Sequence, residues 1–311
     1  MRHTSTVLLS LLALPGAALG YDVKPFKVDL SSRVSHLKEL VKLTKLPETS
    51  VLGKAGAGTD LGWLKTDRKT GSEGSFYEFH EVIGPLSNPG SSSNISFHVV
   101  VPSLPGFGFS SPAPPGWTLN NTADLFNTLL TEVLGYRSYT ASGGDWKQRL
   151  RNNLVFTTEG FGYFIEHSNR PATIGLALYD NPIGQLAWIS DLYFYGADPL
   201  IGVTHSTLDN NTILTSVSLY YLTRTFETTV NVYYQNQGQF TAVSRHAVNR
   251  VPMGFADYRY ELQYYPEFYL QQVGNLVYHS EHERGGHFGA LDNPPAYVDD
   301  VRTMMGRWYK P

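Results

Sequence analysis

No cysteine occurs among the 311 residues. That absence rules out disulfides, cysteine metal sites and thiol nucleophiles. Neither sign of charge is in large excess: the net value is −3, which gives no electrostatic case for a nucleic acid or an acidic membrane surface. No internal repeat and no low-complexity tract breaks the chain. The apolar run at 7–14 is too short to span a bilayer.

What is present is apolar and aromatic. Hydrophobic residues make up 41%, with 20 Tyr and 16 Phe, enough for a sizeable core. The length fits one large domain, or one domain with an inserted cap. The N-terminus reads as an address. Arg2 and His3 precede the apolar run, and Ala18-Leu19-Gly20 resembles a cleavage site. Residues 1–20 are therefore expected to be a signal peptide that sends the chain into the secretory pathway. An uncleaved anchor is the alternative. Asn94, Asn120 and Asn210 head N-x-Ser/Thr triplets that can accept glycans.

Val34, Leu37, Leu40 and Val41 recur at helical spacing, with Ser32 as a candidate N-cap. Residues 76–86 and 124–134 carry amphipathic helical patterns. The runs 97–101 (Phe-His-Val-Val-Val) and 136–141 are rich in β-formers and read as strands. Residues 251–255 and 276–279 look like the last two strands, and 298–308 like a closing helix. Between them, 154–240 is rich in Tyr, Thr and Asn, with helical patterns broken by Pro171 and Pro182. Strands alternating with helices predict an α/β fold with a parallel-rich sheet and an inserted helical cap.

Two paired-glycine turns stand out. Gly143-Gly144-Asp145-Trp146 follows the second predicted strand, and Gly285-Gly286-His287-Phe288 follows the last. Glu261 lies between them, just past another predicted strand. Ligands meet the carboxyl ends of strands in such sheets. A side chain on a tight turn there can act as a nucleophile, followed in the chain by an acid and a histidine. No Ser holds the first position. Asp does, and a carboxylate nucleophile forms an alkyl ester by attacking a saturated carbon. The same Asp145 also fits a helix cap after a glycine turn, and His287 and Glu261 each fit ordinary loop residues.

Further segments turn this set into a resemblance. Val101-Pro-Ser-Leu-Pro-Gly-Phe-Gly-Phe-Ser110, Gly74-Ser-Phe-Tyr-Glu-Phe79 and Leu134-Gly-Tyr136 resemble the epoxide hydrolases of the microsomal type. So do Gly162-Tyr163, Arg170-Pro171, Ala177-Leu-Tyr-Asp-Asn-Pro182, Val251-Pro-Met-Gly-Phe255 and Arg284-Gly-Gly-His-Phe288. The resemblance implies an α/β-hydrolase fold: an N-terminal extension over 21–74, core over 75–153 and 241–311, and a helical cap over 154–240. It implies Asp145 as nucleophile, His287 as general base, and Glu261 as the carboxylate that orients it. Tyr163 and Tyr233 match the cap phenols that donate to the epoxide oxygen. The backbone N–H groups of Trp146 and Ser72 fall at the oxyanion turn. The partners implied are an apolar epoxide and water, with no cofactor and no metal. Haloalkane dehalogenases, which also use an Asp nucleophile, are the neighbouring class.

The chain departs from the pattern twice. Between Thr66 and Gly74 it passes almost directly from the extension to the end of the oxyanion turn, without the first strands of the sheet. After Trp146, Lys147 replaces the expected Gly, and Gln148 onward already resembles the entry to the cap. A strand and its helix are missing there. The core sheet is therefore expected to be incomplete, as in a mis-spliced coding sequence or an inactive paralogue. Strands that lose a neighbour keep unpaired backbone groups, which are costly when buried.

Overall fold

The structure, a computed structural model, describes residues 26–50, 58–66, 76–91, 95–143, 160–199, 208–237, 249–262 and 264–308. The expected signal peptide, Asp145, Trp146 and Ser72 lie outside the described residues. Among those residues no helix is long and apolar enough to cross a membrane.

The first helix, Ser31–Leu43, buries Leu37 against Tyr221 and Leu222. Ser32 is not its cap. Leu30 holds that position, and the Asp29 carboxylate accepts from both the N–H and the hydroxyl of Ser31. An acid just ahead of the first turn satisfies a free backbone donor there, so a serine one residue inside the helix is not needed as the cap.

Among the described residues, most buried apolar side chains lie between 162 and 235, a segment built of helices. Gly162–Asn169, Pro171–Leu178, Pro182–Gly196 and Asn210–Thr223 are the longer ones, followed by Phe226–Thr229 and Asn231–Gln235. Pro171 and Pro182 open helices rather than interrupt them, because the first helical position has no N–H to lose. Side-chain caps fix two of the starts. Asn181 accepts from the Gly184 N–H at 2.9 Å, and Asp209 accepts from the Thr212 N–H at 2.7 Å. Leu186, Ile189, Tyr193, Ile213, Val217 and Val230 form the centre of this core.

The sheet is smaller. Two parallel strands, β1 (Asn249–Tyr260) and β2 (Gly274–Gly286), pair with each other, and a short helix, Glu267–Val273, connects them. They extend well beyond the runs 251–255 and 276–279 read from the sequence. The closing helix, Pro294–Trp308, packs on both strands and on the helix His80–Ser87. Val82, Leu86, Ala290 and Val298 form a second, thinner core there.

The runs 97–101 and 136–141 are not ladder strands. Phe97 instead donates its N–H to the Leu86 carbonyl at 3.1 Å, and Phe97 and Val99 pack on the second core. The apolar faces of this run are used, but the ladder is not. A β-rich sequence becomes a strand only beside a partner, and the sequence is interrupted both before 97–101 and after 136–141. The expected incompleteness of the sheet thus takes a specific form: the last two strands pair, and the two runs nearest the interruptions do not.

Candidate active site

β1 and β2 run in the same direction, with Tyr260 opposite Gly286 as their last paired position. The next residues are Glu261 and His287. Parallel pairing therefore delivers a carboxylate and an imidazole side by side at the carboxyl end of the sheet, where ligands meet such strands. His287 Nδ1 lies 2.8 Å from Glu261 Oε1. The same oxygen accepts the Leu262 N–H at 2.8 Å, which holds the carboxylate in place. Glu261 is buried, while His287 keeps part of its ring exposed. With Nδ1–H donated to the carboxylate, Nε2 is the imidazole atom left to take a proton.

Two glycines put the histidine there. Gly285 has φ +97°, in the left-handed region that disfavours side chains. At Gly286 a Cβ would come within 2.4 Å of the Gly196 carbonyl oxygen. The turn thus lies directly against the end of the cap helix Pro182–Gly196.

Tyr163 and Tyr233 meet across the cap, with ring centroids 5.9 Å apart in an edge-to-face arrangement. The helices Gly162–Asn169 and Asn231–Gln235 carry them. Both phenols line the cavity that also holds Glu261 and His287, a space of about 1030 Å³. Gly143, two residues before Asp145, lines it as well, as do Phe107, Trp188 and Leu192. The structure brings together the four described residues expected from the sequence: Tyr163, Tyr233, Glu261 and His287.

Sequence reasoning missed His167. It lies one helical turn after Tyr163 and lines the same cavity. Its ring is 5.6 Å from Tyr163 and 5.8 Å from Tyr233. The Trp188 indole N–H donates to His167 Nε2 at 3.1 Å, so the proton of the neutral ring sits on Nδ1. Burial drives its pKa down to about 4, which keeps it uncharged at neutral pH. Nothing in the sequence distinguishes this histidine from a packing residue. Among the described residues, no group of three or more His, Asp or Glu is arranged to hold a metal ion.

This arrangement agrees with relatives found by sequence and by structure. A putative epoxide hydrolase of Stigmatella aurantiaca is 31% identical over 280 residues, covering 76% of this chain and 62% of the relative. Epoxide hydrolase 1 of Sus scrofa is 26% identical over 302 residues, covering 76% of this chain and 66% of the relative. The structure of an enantioselective mutant of the epoxide hydrolase from Aspergillus niger matches at a TM-score of 0.81 and 25% identity, over 94% of this chain and 98% of that one. The chain is a homologue of the epoxide hydrolases and has their α/β-hydrolase fold. This homologue spans 62% and 66% of the lengths of those two curated relatives. Juvenile hormone epoxide hydrolase from the silkworm Bombyx mori shares the fold at a TM-score of 0.79 and 20% identity, over 92% of the homologue and 94% of that chain. No protein-family profile matches it.

Proposed function

We propose that this homologue hydrolyses an apolar epoxide to a vicinal diol through an aspartyl ester. The observation that carries the reading is the Glu261–His287 pair at 2.8 Å, facing the same cavity as the Tyr163–Tyr233 pair.

The steps follow from those groups. The Asp145 carboxylate attacks an oxirane carbon. The carbon–oxygen bond of the ring breaks, and the oxygen takes a proton from Tyr163 or Tyr233. Phenols are protonated near pH 7, and they act where negative charge develops. His287 then removes a proton from water through Nε2. The hydroxide attacks the ester carbonyl, and the bond from the carboxyl carbon to the diol oxygen breaks. The departing diol oxygen takes the proton of the added hydroxyl, so Asp145 returns as a carboxylate, and the His287 imidazolium proton passes back to the tyrosinate as the diol leaves. Glu261 supports the imidazolium formed in this second half. The Trp146 and Ser72 N–H groups are the proposed donors to the tetrahedral oxygen. The aromatic lining favours a bulky apolar substrate, such as a toxic epoxide or an intermediate of secondary metabolism.

The direct test is styrene oxide with the native chain and with Asp145→Asn. Diol is expected from the first alone, and equal diol from both removes the nucleophile. Entry into the secretory pathway through residues 1–20 belongs to the same proposal. N-terminal sequencing of exported protein should start at Tyr21.

One observation favours a second reading, a binding protein without turnover: among the described residues, the runs 97–101 and 136–141 join no sheet. Genomic DNA around codons 66–74 and 146–147 separates the two. Coding sequence for the missing strands would restore the enzyme reading, and its absence would favour the binder.

A further inference from the structure

The turn that carries His287 is held at three consecutive backbone donors, each by a different acceptor. The Gly285 N–H donates to Asp198 Oδ2 at 2.9 Å, and the Gly286 N–H to Asp292 Oδ2 at 3.0 Å. The His287 N–H donates to the Gly196 carbonyl at 2.8 Å. The two carboxylates also belong to one cluster. The Asp198 N–H donates to Asp292 Oδ2 at 3.1 Å, and Arg284 Nε lies 2.8 Å from Asp198 Oδ2. Both acids are almost fully buried, at 1% and 2% exposure.

Buried carboxylates are rarely kept without a partner, and hydrogen bonds to charged acceptors are the strong ones. Here each of the two accepts from one backbone N–H just before the imidazole. Gly196 ends the cap helix and Asp198 follows it. Asp292 ends the short helix Gly289–Asp292. Cap and core therefore both grip the turn.

We infer that Asp198 and Asp292 are positioning residues for His287, fixing the turn 285–287 so that the imidazole meets Glu261 and faces the tyrosine pair on the cap. Neither acid itself lines the cavity, and their effect passes through the turn. This inference rests on His287 acting as the base. Its test must move His287 without relying on turnover alone.

The first readout is the Nδ1 proton of His287 in the ¹⁵N-histidine-labelled full chain, identified by its loss in His287→Gln. The His282 ring proton facing Asp300, where Nε2 lies 2.7 Å from Oδ2, is the internal reference. In Asp198→Asn and Asp292→Asn, which keep side-chain shape, the His287 proton should exchange with solvent about 10- to 100-fold faster as the turn opens more often, with the His282 proton unchanged. In the corresponding Ala variants the His287 signal should vanish. If Ala variants do not fold, the Asn variants decide alone. Unchanged exchange at His287, or equal acceleration at His282, overturns the inference.

The second readout is single turnover with styrene oxide. The Asn variants should form the ester within about twofold of the native rate and hydrolyse it about 10- to 100-fold more slowly. Equal loss in both halves overturns the inference. If the native chain forms no ester, the epoxide hydrolase reading fails, and the proton-exchange comparison still decides whether the two acids position the turn.

Discussion

Glu261 and His287 each lie one residue beyond the last paired position of two adjacent parallel strands, and that shared offset brings them to 2.8 Å. The strand register therefore builds the carboxylate–imidazole pair, with the Leu262 N–H and two glycines holding its ends.

Glu261→Gln keeps an acceptor for the Leu262 N–H but removes the charge that supports the imidazolium. Ester formation should be nearly unchanged. Ester hydrolysis should fall by about 10²-fold or more. Rapid quench during a single turnover checks this, with ester accumulating in the variant.

Tyr163→Phe and Tyr233→Phe remove the two phenols proposed to protonate the epoxide oxygen. Each variant should slow ester formation by about 10²-fold, the usual cost of one well-placed donor at a developing oxyanion. Melting temperatures should hardly move, because the edge-to-face ring contact survives. A pre-steady-state comparison of the two halves reads the result.

Two titrating groups on the cap oppose each other. Burial lowers the His167 pKa from 6.5 to about 4 and raises that of Asp191 from 3.8 to about 6. The unfolded chain binds the extra proton at His167 between pH 4 and 6.5, so that contribution is lost as pH falls. At Asp191 the folded chain binds the extra proton between pH 4 and 6, so that contribution is lost as pH rises. His167→Gln should therefore gain melting temperature relative to the native chain as pH falls from 6.5 to 4. Asp191→Asn should gain relative to the native chain as pH rises from 4 to 6. Thermal melts across that range check both signs.

The same physics explains what the sequence revealed and what it concealed. His287 and Glu261 were legible because paired glycines and strand ends mark the places where a sheet presents chemistry. The cap helices were legible as broken helical patterns, though Pro171 and Pro182 turned out to open helices. The runs 97–101 and 136–141 misled because strand propensity is local and pairing is not. Ser32 misled because the helix starts one residue earlier, at Ser31, whose N–H and hydroxyl both go to Asp29. Asp198 and Asp292 were invisible because an acid that binds backbone 87 or six residues away leaves no local pattern.

The uneven sheet has its own consequence. Amides of β1 and β2 should resist hydrogen exchange, while those of 98–101 and 139–141 should exchange early. Exchange followed by mass spectrometry reads this directly. Protection at 98–101 equal to that of β2 would contradict the described pairing. Leu186→Ala, at the fully buried centre of the cap core, should cost about 2–5 kcal/mol of stability, measured by urea unfolding.

Hydrolysis by the proposed route requires an oxirane carbon to become bonded to one aspartate. The measurement that reaches it is peptide mass spectrometry of the His287→Gln variant, quenched after mixing with styrene oxide. The variant should hold one epoxide mass on the peptide containing Asp145, and Asp145→Asn in the same background should hold none. An adduct on another residue, or diol release from His287→Gln at the native rate, would contradict the account.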